Sequence, residues 1–159
     1  AIYAEGVEEI GNYAFNATAS LNYAHLPKLK RVGEGCFLDN ASLDAVNFPK
    51  LEEIGHICFN GGSNISGNGL KITYISLPAV KKIGRGAFHG NYKNSGVAVL
   101  LGAMPQVDFT PYSDDDPYHD GNVAFGQMKD PVLYVSPANK ETYQITDGKW
   151  KSFTVKELK

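Results

Sequence analysis

Leu51-Glu52-Glu53-Ile54-Gly55-His56-Ile57-Cys58-Phe59 decides the fold of this chain, because the same phrase is written three more times. The other copies are Val7-Glu8-Glu9-Ile10-Gly11 with Phe15, Leu29-Lys30-Arg31-Val32-Gly33 with Phe37, and Val80-Lys81-Lys82-Ile83-Gly84 with Phe88. Each reads branched aliphatic, two charges, Ile or Val, Gly, three residues, Phe. Successive copies start 22, 22 and 29 residues apart. A period in this range belongs to a solenoid, where each unit buries its apolar face only against its neighbours. The four Phe rings are expected to align in one interior column.

Ahead of each phrase lies a strand-like segment ending in Pro. Three copies read Leu21-x-x-Ala24-x-Leu26-Pro27, Leu43-x-x-Val46-x-Phe48-Pro49 and Ile72-x-x-Ile75-x-Leu77-Pro78; a looser one reads Val99-x-x-Gly102-x-Met104-Pro105. By register Ile2 and Ala4 fall in the columns of Ala24 and Leu26, with Glu5 in place of Pro. Apolar residues two apart mark a half-buried strand. Pro removes a ladder donor and ends it. The Gly of each phrase either adopts a conformation costly for other residues or lets two backbones approach closely. Cys36 and Cys58 occupy the small slot filled by Ala14 and Ala87, so they read as stacked, buried, reduced thiols.

The fifth unit is eroded. Started at Val107, it should reach its Phe at position 115, but the nearest is Phe125, which implies ten inserted residues within 110–121. Leu133-Tyr134-Val135-Ser136-Pro137 follows, with Ser136 placed to cap a short helix and Pro137 at its first position. Tyr143, Trp150 and Phe153 are expected to cover the last apolar layer, as a terminal coil requires. No matching lid precedes Ile2, and such an exposed edge suggests that the native protein continues upstream.

The combined pattern, L-x-x-L-x-L and then P-x-L-x-x-I-G-x-x-A-F, resembles the BspA-like leucine-rich repeats of bacterial surface and secreted proteins. The resemblance implies a β-rich solenoid: a right-handed stack of about five coils with parallel strands, little helix and a C-terminal aromatic cap. It places repeats over 1–130, with coils starting near 1, 21, 43, 72 and 99, and a capping segment over 131–159. It departs from plant and animal repeats in lacking their Asn ladder.

The charged pairs alternate in sign down the stack: Glu8-Glu9, Lys30-Arg31, Glu52-Glu53, Lys81-Lys82, then Asp108. Stacked in register, each pair meets opposite charge above and below, and a slip by one coil sets like on like. The pattern is expected to hold register in a repetitive chain.

Composition narrows the function. A net charge of −2 over 159 residues gives no electrostatic case for nucleic acid. No apolar run is long enough to insert in a membrane. His25, His56, His89 and His119 fall in different columns and form no ligand set, so neither metal nor cofactor is expected. His56 lies two residues from Cys58, but that Cys belongs to the buried column. No nucleophile elbow, phosphate loop or catalytic carboxylate pair is present, and the chain reads as no enzyme.

Two surfaces remain as candidates for binding. From Phe to the next Pro the chain takes 12, 12, 19 and then 17 residues, and the longer connections, 60–69 and 89–96, sit on one face. There Asn64, Asn68 and Asn91 suit hydrogen bonding and Tyr92 offers a stacking face. The second surface is the outward side of the strands, with Asn22, Tyr23, His25; Asp44, Ala45, Asn47; and Thr73, Tyr74, Ser76. Tyr23 and Tyr74 share a column there, with Ala45 between them. Of these residues, Tyr23, His25, Asn47 and Tyr74 are the candidate contacts. An acidic run, Asp114, Asp115, Asp116 and Asp120, reads as a solvated turn rather than a calcium loop. Asn16, Asn40 and Asn64 head Asn-x-Ser/Thr triplets, which matter only if the source glycosylates. The resemblance implies an extracellular or cell-surface adhesion module for host proteins, other microbes or glycans. The competing reading is a structural spacer with no ligand of its own.

Overall fold

The computed structural model describes residues 1–61, 69–90, 92–110, 123–126 and 128–159. The chain shuttles between two sides of a stack of parallel strands. In order, its elements are β1 (Ile2–Tyr3), β2 (Glu9–Ile10), β3 (Ala24–His25), β4 (Arg31–Val32), β5 (Ala45–Asn47), β6 (Glu53–Ile54), β7 (Tyr74–Leu77) and β8 (Lys82–Ile83). Then come β9 (Ala98–Leu101), β10 (Gln106–Val107), β11 (Val132–Val135), α1 (Pro137–Lys140), β12 (Lys149–Trp150) and β13 (Phe153–Glu157). The odd-numbered strands up to β13 form the leading side: β1 pairs β3, and β5-β7-β9-β11-β13 run in unbroken order, with β12 added antiparallel. The even strands β2-β4-β6-β8-β10 form the second sheet. This is a solenoid, and strand order is chain order.

Each corner has a local cause. Pro27, Pro49 and Pro78 take the second place of tight turns closed by Leu29 N–H to Leu26 O, Leu51 N–H to Phe48 O and Val80 N–H to Leu77 O. Proline's fixed φ suits that place. At the next corner the repeated Gly serves close approach. A Cβ on Gly55 would lie 2.5 Å from the carbonyl carbon of Gly33, and one on Gly84 would lie 2.6 Å from that of Gly55. The left-handed backbone comes two residues later, at Tyr13, Gly35, Ile57 and Gly86, with φ between 47° and 65°.

One core runs the length of the stack. The rings of Phe15, Phe37, Phe59 and Phe88 lie 5.5, 5.2 and 5.1 Å apart in near-parallel planes, and Phe125 continues the column at 5.6 Å. Cys36 and Cys58 are free and buried, and burial pushes the Cys58 thiol up. Ser136 accepts from the Asn139 N–H at the start of α1, with Pro137 leading that helix. Past it, Trp150 and Phe153 meet Phe125 edge-on, and Tyr143 meets Trp150 edge-on. The Tyr143 hydroxyl donates to Gly102 O at 2.9 Å.

The sign alternation brings the expected charges together. Glu9, Arg31, Glu53 and Lys82 share one register column. Lys30 and Glu8 pair at 3.2 Å, Lys81 and Glu52 at 3.2 Å, and Arg31 pairs with Glu9.

The fifth coil is offset from its expected register against the fourth. Val99 stands opposite Ile75, not Ile72, and Val107 stands opposite Ile83, not Val80. The step is therefore 24 residues, three shorter than the Pro78-to-Pro105 spacing suggests. Gly102 falls beside Pro78, where a Cβ would lie 2.3 Å from the Pro78 carbonyl oxygen, and Met104 is exposed instead of buried. Gln106, not Asp108, takes the last rung of the charge ladder. Asp108 instead accepts the Thr110 N–H, and its contacts with the Thr110 hydroxyl and N–H hold its carboxyl below the usual range. The insertion before Phe125 grows from ten residues to thirteen, since Phe88 follows Ile83 by five and Phe125 follows Val107 by eighteen.

A side-chain ladder does exist, in a form the repeat pattern does not announce. Asn40, almost fully buried, donates to Phe15 O in the preceding coil, and Asn60 donates to Gly86 O in the next. Asn40 therefore cannot serve as a glycan acceptor, because its Nδ2 is enclosed and already used.

Candidate binding surface

The outward face of the leading sheet gathers the aromatic candidates. Between inward residues, β1 and β3 present Tyr3 and His25 side by side in register. The Tyr3 ring lies 5.6 Å from Tyr23 and 6.3 Å from His25, and His25 Nε2 lies 3.1 Å from Glu5 Oε1. Tyr3 and Tyr23 are 72% and 49% exposed, and Tyr74, in register with Ala45, is 38% exposed. Asn47 is exposed on the same strand as Ala45. Ser76 departs from expectation: at 8% exposure it is enclosed.

The face continues further than the pattern indicates. Ala98 follows Tyr74 in its column and Leu100 follows Ser76, and Val132 and Tyr134 extend the two columns into β11. All four are half-buried. The three-residue slip in the reading of β9 hides Leu100, while strict alternation with Leu133 and Val135 marks Tyr134. Tyr3 was equally legible, lying between the inward Ile2 and Ala4.

The long connections behave differently. Asn64, Asn68 and Asn91 lie outside the described residues, as does the acidic run 114–120. Tyr92 overturns the expectation of an exposed stacking face: it is 0% exposed and its hydroxyl donates to Phe88 O at 2.8 Å. The cause is that the described ends of these connections stack too. Gly61 bridges Gly90, Leu70 bridges Tyr92 and Ser95 bridges Lys129, all parallel, so Leu70, Tyr92 and Val97 extend the core sideways. Burial raises the Tyr92 hydroxyl pKa well beyond its ordinary value.

The geometry offers little to chemistry. Cys58 is sealed in the core, and His56 Nδ1 accepts the Arg85 N–H at 2.8 Å, so the two do not act as nucleophile and base. Among the described residues no three His, Cys, Asp or Glu side chains converge on a point where a metal could sit. Nor is any helix among them long and apolar enough to cross a membrane.

A stack of short parallel strands with a repeated Pro, Gly and Phe defines a leucine-rich repeat protein. Residues 2–90 match the BspA-type leucine-rich repeat region in six copies, and the chain belongs to that family. Comparison with curated proteins gave no match. A repeat domain of this kind is a protein-interaction or structural module.

Proposed function

We propose that this chain is a non-catalytic, extracellular adhesion module that engages a protein or glycan ligand through the outward face of its leading sheet. One observation supports the reading above others: Tyr3, Tyr23 and Tyr74 stand exposed along one side of a stack anchored by a continuous core. Aromatics held by such a scaffold give large contact area at small ordering cost. Half-buried Leu100 and Tyr134 prolong the patch, and a contiguous apolar face is the usual mark of an interaction site. Surface display is what proteins built on this repeat suggest.

The test is a screen of immobilised matrix proteins and glycans against the native domain and the Tyr23→Ala/Tyr74→Ala variant. The adhesive reading expects a ligand whose retention falls at least tenfold in the variant. A spacer would retain nothing above background in either form.

A further inference from the structure

The second sheet carries a feature that the adhesive face does not use. Two cavities of about 430 and 570 Å³ meet at His56, Lys82 and Gly84 and form one trough that crosses the coils. Its floor is the backbone of Gly11, Gly33, Gly55 and Gly84. Gly33, Gly55 and Gly84 aim their missing Cβ at the preceding coil, so the floor there is bare by necessity of stacking, while Gly11 stands at the open end of the stack. One rim is the column Glu9, Arg31, Glu53, Lys82 and Gln106; the other rim includes Asn12 and His56.

Three properties select an occupant. The first is direction. The trough runs across the strands, and β4, β6 and β8 are paired on both sides, so a peptide has no free edge to join there. The second is charge. The rim column Glu9, Arg31, Glu53 and Lys82 alternates acid and base and sums to zero, and Asp108 at the far end adds a single negative charge, so a polyanion or polycation meets no strong field of one sign. None of the five ion pairs among the described residues involves Glu53 or Lys82, so those two rim groups keep hydrogen-bonding capacity for a ligand. The third is repeat length. The trough crosses a hydrogen-bonded parallel sheet whose strands stand about 4.8 Å apart, and an extended β-1,4-linked pyranose chain advances by a similar length per sugar. Successive sugars in that chain also turn over, giving a two-unit alternation that parallels the acid–base alternation of the rim.

We propose that the trough is a second binding site, for an uncharged β-1,4-linked oligosaccharide lying along the stack with one sugar per coil. Hydroxyls of alternate sugars donate to Glu53 and accept from Arg31 and Lys82, while the ring faces rest on glycine backbone.

The test titrates isotope-labelled protein with N-acetylglucosamine and glucose β-1,4 oligomers of two to six units. The proposal expects amide shifts at Gly33, Gly55, Gly84 and His56, with affinity rising about tenfold or more from dimer to pentamer and then levelling. Glu53→Ala/Lys82→Ala should weaken the pentamer at least tenfold while the amide spectrum away from the trough stays that of the native fold. Glu53→Gln/Lys82→Gln, which keeps hydrogen bonding without charge, should restore most of it. The proposal is overturned if neither hexamer shifts these amides at millimolar concentration, if affinity ignores length, or if heparin displaces the sugars competitively at equal concentration. Shifts confined to Tyr23 and Tyr74 overturn it too, and leave the adhesive face standing.

Discussion

The rings of Phe88 and Phe125 lie 5.6 Å apart with only 1° between their planes, although the two positions are a step of thirty-seven apart in the chain. The preceding Phe steps are 22, 22 and 29 residues, so the column keeps its spacing while the connection length changes. Packing sets the stack, and chain length is accommodated outside it.

Truncating an interior ring removes two stacking partners and leaves a void. Phe37→Ala and Phe59→Ala should each cost about 3–5 kcal/mol in urea unfolding. Phe15, stacked on one side only and half-buried, should cost clearly less. Equal losses at Phe15 and Phe59 would contradict the column.

Glycine positions that look alike in the sequence should respond differently. Gly55→Ala places a methyl against the Gly33 backbone and should lower Tm strongly, whereas a Cβ on Gly11 meets nothing within 4 Å. Gly11→Ala should therefore lie within about 0.5 kcal/mol of the native protein.

Reversing Lys30 and Arg31 to Glu sets like charges beside Glu8, Glu9, Glu52 and Glu53. Tm should fall at low ionic strength and recover substantially in molar salt, because these side chains are well exposed and readily screened. Unchanged melting at low salt would remove the ladder's role in register.

Tyr92 gives the stack an alkaline limit. Its hydroxyl pKa is raised in the folded protein by burial, so the unfolded chain ionises first as pH rises past about 10. Stability from this group is full below that pH and is lost above it. Tyr92→Phe should cost about 0.5–1.5 kcal/mol at neutral pH, from the lost bond to Phe88 O, and the gap should close or invert in alkali. A gap that is constant with pH would contradict the burial of the hydroxyl.

The architecture was legible because Pro, Gly and Phe each do one geometric job at a fixed offset. Where a residue mimics that job, the reading slips. Pro105 looks like a strand end, yet Gly102 holds the place of Pro78, which displaces Val99 and Val107 by three. Tyr92, among Asn and Gly, reads as a loop aromatic because local composition does not show that Leu70 waits beside it. Of the candidate face, alternation revealed Tyr23 and Tyr74, whereas the contact between Tyr3 and Tyr23 depends on strand pairing that only the fold provides.

The register of the stack is tested most directly by Overhauser contacts among selectively labelled Phe rings. The account predicts one series, Phe15 to Phe37 to Phe59 to Phe88 to Phe125, with each interior ring seeing both neighbours. A missing link between Phe88 and Phe125, or a direct contact between Phe59 and Phe125, would contradict it.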